Sequence, residues 1–359
     1  MMVKTYEHII LYYFSGTGSA KLAAEWFGNE AKKKNIDCSI IDIAKNETIN
    51  LPESGKTLIG FFSPTHGFNL PPIVLNFMLS FPKRKNTDVF ILNTRAGMKM
   101  HKLFLPGLSG IAQYFAAIIF NVKGFNIVGM QPLDMPSNWI SVHPGLRDKI
   151  IISIAKRCEK KIEKFANKLF SSKKVYTAFW SLPFDIAVTP ISILYYFIGR
   201  FGLAKTFYAT HSCTNCGLCL KKCPVNAIKE IDNRMFWSYN CESCMKCMTS
   251  CPKRAIQTSH SYSTALWILI STFLSPFIYK LFFNSKFLDF NESSFVYLTL
   301  EYLAEISISL TIVLLAYRVF HFFMRFKFFS KIMEYTSLTR YWRSYNLKKT
   351  LKNYSSTTV

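Results

Sequence analysis

Apolar and polar positions follow two different periods over the first part of the chain. Short apolar runs rich in β-branched and aromatic residues, at 8–14, 37–43, 57–63, 88–93 and 125–130, predict five strands. Between and after them, helical spacing predicts helices over 21–34 and 71–80 and a long basic amphipathic helix over 144–169. Strands that alternate with helices form a parallel sheet covered on both faces. Five strands fit the order 2-1-3-4-5, whose ligand sits beyond the carboxyl ends of strands 1, 3 and 4.

Four stretches are more apolar than such a sheet needs. Residues 103–122 fall where the fourth helix belongs, and 177–202 run on from the last helix, interrupted by Asp185 and two prolines. Both read as buried helices or as a surface that dips into a membrane interface. Residues 262–279 carry no charge and approach the length that spans a bilayer; 306–317 reach it with Leu303 and 320–324 added. Between them, 284–294 hold Lys286 against Asp289 and Glu292, while Arg325, Lys327, Lys331, Arg340, Arg343, Lys348, Lys349 and Lys352 follow. That asymmetry predicts a membrane hairpin with its loop outside and its basic tail inside. A helical pair folded onto the rest of the chain is the alternative.

Charge and cysteine usage refine this picture. The 359 residues carry a formal net charge of +23, which suits nucleic acid or an anionic membrane surface. Beside apolar spans, anionic headgroups are the more economical partner, and nucleic acid is the minor expectation. The start, MMVKTYEHIILYY, has no small-residue cleavage site and leads into a glycine turn, so it reads as a strand in a reducing cytosol. There, clustered cysteines are metal ligands more often than disulfides.

Eight of the ten cysteines fall in two runs, 213–228 and 241–256, each reading C-x-x-C-x-x-C-x-x-x-C-P-x-x-A-I. The second begins 28 residues after the first, so the segment is an internal duplication. A cubane cluster takes four thiolates; three come from one tight loop, and in two-cluster ferredoxins the fourth crosses from the other run. On that rule Cys213, Cys216, Cys219 and Cys251 hold one [4Fe–4S] cluster, and Cys241, Cys244, Cys247 and Cys223 hold the other. Pro224 and Pro252 turn the chain after the crossing cysteine, and Gly217 lets the backbone approach sulfide. Structural zinc sites use paired cysteines with longer spacers, a poor match. Cys38 and Cys158 read as ordinary thiols.

The turn after the first strand reads FSGTGSAK. A dinucleotide fingerprint would need a small residue where Lys21 stands, although Asp42 could serve as its ribose acid. The triphosphate-loop tail SGKT at 54–57 lacks its first glycine and precedes a strand. Ser15, Gly16, Thr17, Gly18 and Ser19 offer hydroxyls and a helix N-terminus to a terminal phosphate, which fits FMN. The run resembles the flavodoxin phosphate loop, [ST]-x-T-G-x-T, with Ala20 in place of the last threonine. Pro64, Thr65, His66, Gly67 and Phe68 would form a second loop, with His66 or Phe68 stacked on the flavin. Thr94, Arg95, Ala96 and Gly97 would form a third, with Arg95 balancing a reduced, anionic flavin.

Together FSGTGS, SPTHGFNLPP, DMPSNW and the two cysteine runs resemble the flavodoxin–ferredoxin fusions called EFR1-family ferredoxins, over about residues 7–259. The resemblance implies flavin and [4Fe–4S] redox chemistry, with Asn138 and Trp139 at the flavin edge or in a turn. The expected organisation is a flavodoxin-like FMN domain at 1–172, an apolar linker at 173–206 and a small α+β two-cluster ferredoxin domain at 207–259. A membrane-associated helical hairpin at 260–324 and a basic tail at 325–359 follow. The expected function is electron transfer between FMN and two clusters, with unidentified redox proteins as partners, at the cytoplasmic face of the cell membrane or in the cytoplasm. Two alternatives stay open: a tethered ferredoxin whose flavodoxin-like pocket is empty and acts as a binding module, and a flavin-dependent reductase of an unidentified substrate.

Overall fold

The computed structural model describes residues 6–45, 49–52, 55–274, 276–277 and 295–357. The chain divides into two compact units. The first comprises Met1–Phe197, Cys244–Thr249 and Arg343–Val359; the second comprises Ile198–Ser243 and Ser250–Trp342.

The first unit is built on β1 (His8–Tyr13), β2 (Asp37–Asp42), β3 (Thr57–Pro64), β4 (Asp88–Met100), β5 (Leu103–Leu105), β6 (Asn126–Pro136) and β7 (Val175–Tyr176). Their order is β2-β1-β3-β4-β6-β7, all parallel, with β5 antiparallel on β4. Without the short β5, the five long strands have the order 2-1-3-4-5, a flavodoxin-like sheet. The helices are α1 (Ser19–Lys33), α2 (Pro72–Ser80), α3 (Ala112–Val122) and α4 (Asp148–Phe170).

Strand alternation explains how one sheet carries two cores. Ile9, Leu11 and Tyr13 of β1 face α1 and α4, where they join Phe27, Phe62, Phe90 and Phe165. Ile10 and Tyr12, with Phe14 just beyond, face α2 and α3 and join Phe61, Phe81 and Phe120. Ring pairs lock each face: Phe27 stacks on Phe90 at 4.6 Å and Phe61 on Phe120 at 4.3 Å.

Two expectations are corrected. Strands 4 and 5 do not end at 93 and 130; they continue in register from Thr94↔Leu133 to Gly97↔Pro136. The apolar stretch 103–122 is not one helix but the β5 hairpin strand followed by α3. The basic tail is folded: Tyr345 and Leu347 are buried in the core beside α4, and the Tyr345 hydroxyl bonds the Pro136 and Ser137 carbonyls at 2.9 and 3.0 Å. After β7, a 3₁₀ turn (Thr177–Ser181) leads to α5 (Leu182–Ala187) and α6 (Thr189–Leu194).

The second unit begins with α7 (Arg200–Ala204), β8 (Phe207–Ala209), α8 (Leu218–Lys222), β9 (Ile228–Ile231) and β10 (Arg234–Trp237). In sequence the pattern of α8 and β9 recurs 28 residues later as α9 (Lys246–Ser250), all but its last residue in the first unit, and β11 (Ile256–Thr258) in the second. β8 pairs with β11 and β9 with β10, both antiparallel. Next come α10 (His260–Leu269), α11 (Phe295–Phe323) and α12 (Lys327–Thr336). Tyr317 and Phe320 of α11, with Met324 just after it, bury themselves against Tyr208. Among the described residues one single helix is long and apolar enough to cross a membrane, Ile306–Phe323, of mean hydropathy 1.8 and 18% buried; the bent pair Thr177–Ala187 and Thr189–Ala204 is so only when taken together. The expected outer loop, 284–294, lies outside the described residues.

Candidate functional site

The glycine turn leaves β1 and starts α1. Gly18 adopts φ 101°, a left-handed conformation glycine enters freely, and its N–H donates to Ser15 Oγ at 3.0 Å. The first intrahelical bond runs from Leu22 N to Gly18 O, so the earlier N–H groups of α1 have no intrahelical partner and suit an anion. Thr17 and Ser19 stand half-buried beside them. Ala20 is 1% exposed and packs in the core, so its methyl is not part of the turn's polar rim. Lys21 lies over the Tyr13 ring and 4.0 Å from Glu25.

The segment after β3 closes on itself. His66 and Asn69 exchange backbone hydrogen bonds at 2.9 and 3.1 Å, and Gly67 and Phe68 take φ 52° and 64°. Thr65 N donates to the Thr94 carbonyl at 2.9 Å, and Asn93 Nδ2 donates to Thr65 Oγ1 at 2.5 Å. The His66 ring meets Phe14 edge-on at 6.4 Å, and its Nδ1 is enclosed without a hydrogen-bond partner. Burial lowers its pKa to about 4, so it is neutral at pH 7. A Cβ on Gly67 would lie 2.7 Å from Tyr195 Cβ, because the Tyr195 side chain sits over this glycine. Tyr195 in turn meets Trp139 edge-on at 6.0 Å. Residue spacing carried no signal for Tyr195, which lies within an apolar run.

The third expected loop is strand, and Arg95 is not free for a flavin. Its Nε donates to Asp134 Oδ1 at 2.6 Å, Nη1 reaches Ser181 Oγ at 3.2 Å, and the side chain is 7% exposed. Asp134 also accepts Lys161 at 3.3 Å. Thr94 is buried in β4; Ala96 backs onto Gly107, and Gly97 onto the Asp134 backbone. The residues therefore fit the phosphate end of FMN better than the ring end drawn from sequence.

The two cysteine runs adopt the same backbone. Left-handed residues recur 28 positions apart: Asn215 and Ser243 (φ 48° and 51°), Gly217 and Met245 (66° and 60°), Asn226 and Arg254 (50° and 50°). In each run the alanine N–H donates to the crossing sulfur, Ala227 to Cys223 at 3.2 Å and Ala255 to Cys251 at 3.3 Å. Ser243 N approaches Cys241 Sγ at 3.4 Å. Such N–H···S bonds stabilise thiolate charge and tune cluster potentials. In the second unit, burial raises the Cys219 thiol to about 11. Cys216 is exposed. Among the described residues no three His, Cys, Asp or Glu side chains converge closely enough for a single ion; a cubane spreads its ligands over four irons.

Cys244 and Cys247 lie in the segment that belongs to the first unit. There Cys244 packs against the core cluster of Tyr12 and Phe14. Its backbone covers Gly16, where a Cβ would lie 2.9 Å from Cys244 Cβ. Cys38 and Cys158 take no part. Burial raises their thiols to about 11 and about 12, and Cys158 donates to the Asp134 carbonyl at 3.1 Å.

Sequence reasoning passed over Lys205. Its ammonium is enclosed in the second unit, donates to the Trp237 carbonyl at 2.5 Å and lies 4.7 to 5.1 Å from the ring centres of Tyr317, Tyr239 and Phe236. Burial lowers its pKa to about 8, and the Cys241 thiol opposes that shift. One positive charge is thus held among aromatic faces within the field of a cysteine of the second run.

A protein-family model described as a 4Fe-4S dicluster domain matches residues 212–256. The second half of the chain carries an iron–sulfur domain. No curated protein matches the chain. Among solved structures, a flavodoxin from the Archaea is 17% identical, with 45% of this chain and 97% of that chain covered at TM-score 0.31. Flavodoxin 1 from Bacillus cereus is 15% identical, covering 46% and 97% at 0.31. A flavo di-iron protein from Thermotoga maritima is 15% identical, covering 46% and 35% at 0.31. The flavodoxin-like assignment rests on strand order and register, and with the dicluster domain it supports electron transfer.

Proposed function

We propose that the chain is an electron-transfer flavo-iron–sulfur protein of the EFR1 family, with FMN and two [4Fe–4S] clusters, working with redox protein partners at the cytoplasmic face of the membrane. The observation that carries it is the duplicated cysteine run, alike in spacing, left-handed positions and N–H···S bonds. Thr17, Ser19 and the first N–H groups of α1 would hold the FMN phosphate, and His66 supplies an uncharged ring beside it. Cys213, Cys216, Cys219 and Cys251 would ligate one cluster, and Cys241, Cys244, Cys247 and Cys223 the other. When bound, FMN takes electrons in pairs and releases them singly, which matches clusters that pass one at a time. The apolar Ile306–Phe323 and the basic residues after it support the membrane face. An anaerobic redox titration followed by absorbance and electron paramagnetic resonance tests this. It should resolve a flavin couple and two one-electron iron–sulfur couples in one chain; no reducible iron signal contradicts it.

A second reading, a tethered ferredoxin with an altered flavodoxin-like pocket, is favoured by one observation: Tyr195 seated on Gly67. Release of FMN on denaturation rejects it.

A further inference from the structure

The segment from Val175 to Phe197 has its polarity reversed. A surface helix normally turns apolar side chains inward and polar ones out. Here the inward groups are polar. Asp185, 1% exposed, accepts hydrogen bonds from the backbone N–H of Ser109 and Gly110, both at 2.8 Å, from Ser181 Oγ at 2.7 Å and from the Tyr114 hydroxyl at 3.2 Å. The buried Ser192 donates to the Phe68 carbonyl at 3.1 Å. These bonds pin the 3₁₀ turn, α5 and α6 to the sheet unit. They leave Trp180 (89% exposed), Phe184 (66%), Ile186 (61%) and Phe197 (63%) outward. The surface continues onto α3: Tyr114 lies 5.9 Å from Phe179, and one and two turns further along the same helix face stand Ile118 and Val122, both exposed.

We propose that this face is a bilayer-contacting surface of the first unit, inserted into the headgroup–acyl boundary of an anionic leaflet. The proposal deepens the membrane reading above and adds a contact separate from Ile306–Phe323. Three features favour lipid. Asp185 is the one charged residue from Val175 to Phe197, and it is buried, so the face carries no exposed charge. Lys173 and Lys174 stand exposed directly before it, where ammonium groups reach anionic headgroups. A second copy of a chain with net charge +23 would be repelled, whereas an anionic surface attracts it. Neither helical stretch, Thr177–Ala187 or Thr189–Ala204, is long enough to span alone, and the two are bent apart at Val188, a shape that suits a segment dipping into the boundary.

The test uses the full-length holoprotein in vesicles of phosphatidylcholine and phosphatidylglycerol, with plain or brominated acyl chains. The readout is the ratio of tryptophan emission between the two. Trp180→Phe keeps an apolar ring and should remove about half of the bromine-dependent quenching. Trp267→Phe, in the exposed part of α10, reports the C-terminal region separately. Quenching lost with Trp180→Phe supports the proposal, even if Trp267→Phe changes nothing and the C-terminal anchor fails. Quenching untouched by Trp180→Phe but lost with Trp267→Phe overturns the proposal and leaves the anchor standing. No quenching in the wild type overturns both.

Discussion

Gly16, in the phosphate turn, and Cys244, in the second cysteine run, are packed backbone to backbone within the first unit, with no space for a side chain on the glycine. A cysteine proposed as a cluster ligand is therefore held against the turn that would bind the flavin phosphate. Gly16→Ala should displace the Cys244 loop and drop iron from about eight to about four per chain, read by colorimetric iron assay. Gly18→Ala is the control. Its Cβ meets nothing within 4 Å, so the cost is backbone strain of about 1–2 kcal/mol with iron retained.

Crossed ligation makes a separate prediction. Under the proposed pairing, Cys251→Ala removes the fourth ligand of the cluster assigned to Cys213, Cys216 and Cys219, and Cys223→Ala does the same for the other. Each variant should lose about four irons and one of two paramagnetic signals, while the double variant loses both. If either variant keeps all its iron, the pairing is wrong.

Lys205 should act on potential and not on cluster content. Removing an enclosed positive charge near Cys241 makes adding an electron harder. Lys205→Met should lower the midpoint potential of that cluster by on the order of tens of millivolts, and Lys205→Arg should restore most of it. A purely structural role would change iron content with both variants and leave the potential unmoved.

His66 makes stability depend on pH. Its folded pKa, about 4, lies below the ordinary 6.5, so the unfolded chain binds the proton more tightly. The contribution is fully present above pH 6.5 and is lost as pH falls toward 4, up to about 3 kcal/mol. Denaturant unfolding at pH 7 and pH 4.5 should show the loss in wild type and a smaller one in His66→Phe.

Much of the fold was legible because its signals are local. β1, β3 and β4 are continuous apolar runs of strand length, and the cysteine spacing marks the dicluster domain without reference to distant residues. What escaped depends on partners far along the chain. The ends of β4 and β6 are polar in sequence, and the Arg95–Asp134 ion pair that joins them spans 39 positions. In sequence Asp185 interrupts an apolar run; its backbone donors, Ser109 and Gly110, lie 76 and 75 positions away. Tyr345 read as part of a basic tail, yet its hydroxyl reaches Pro136, 209 residues away. No periodicity marks such returns.

The most direct measurement of the central claim is cofactor content after anaerobic purification, made on membrane and soluble fractions separately. The account predicts about eight irons and one released FMN per chain, with the protein in the membrane fraction. Zinc in place of iron, or a chain with neither iron nor flavin, would contradict it.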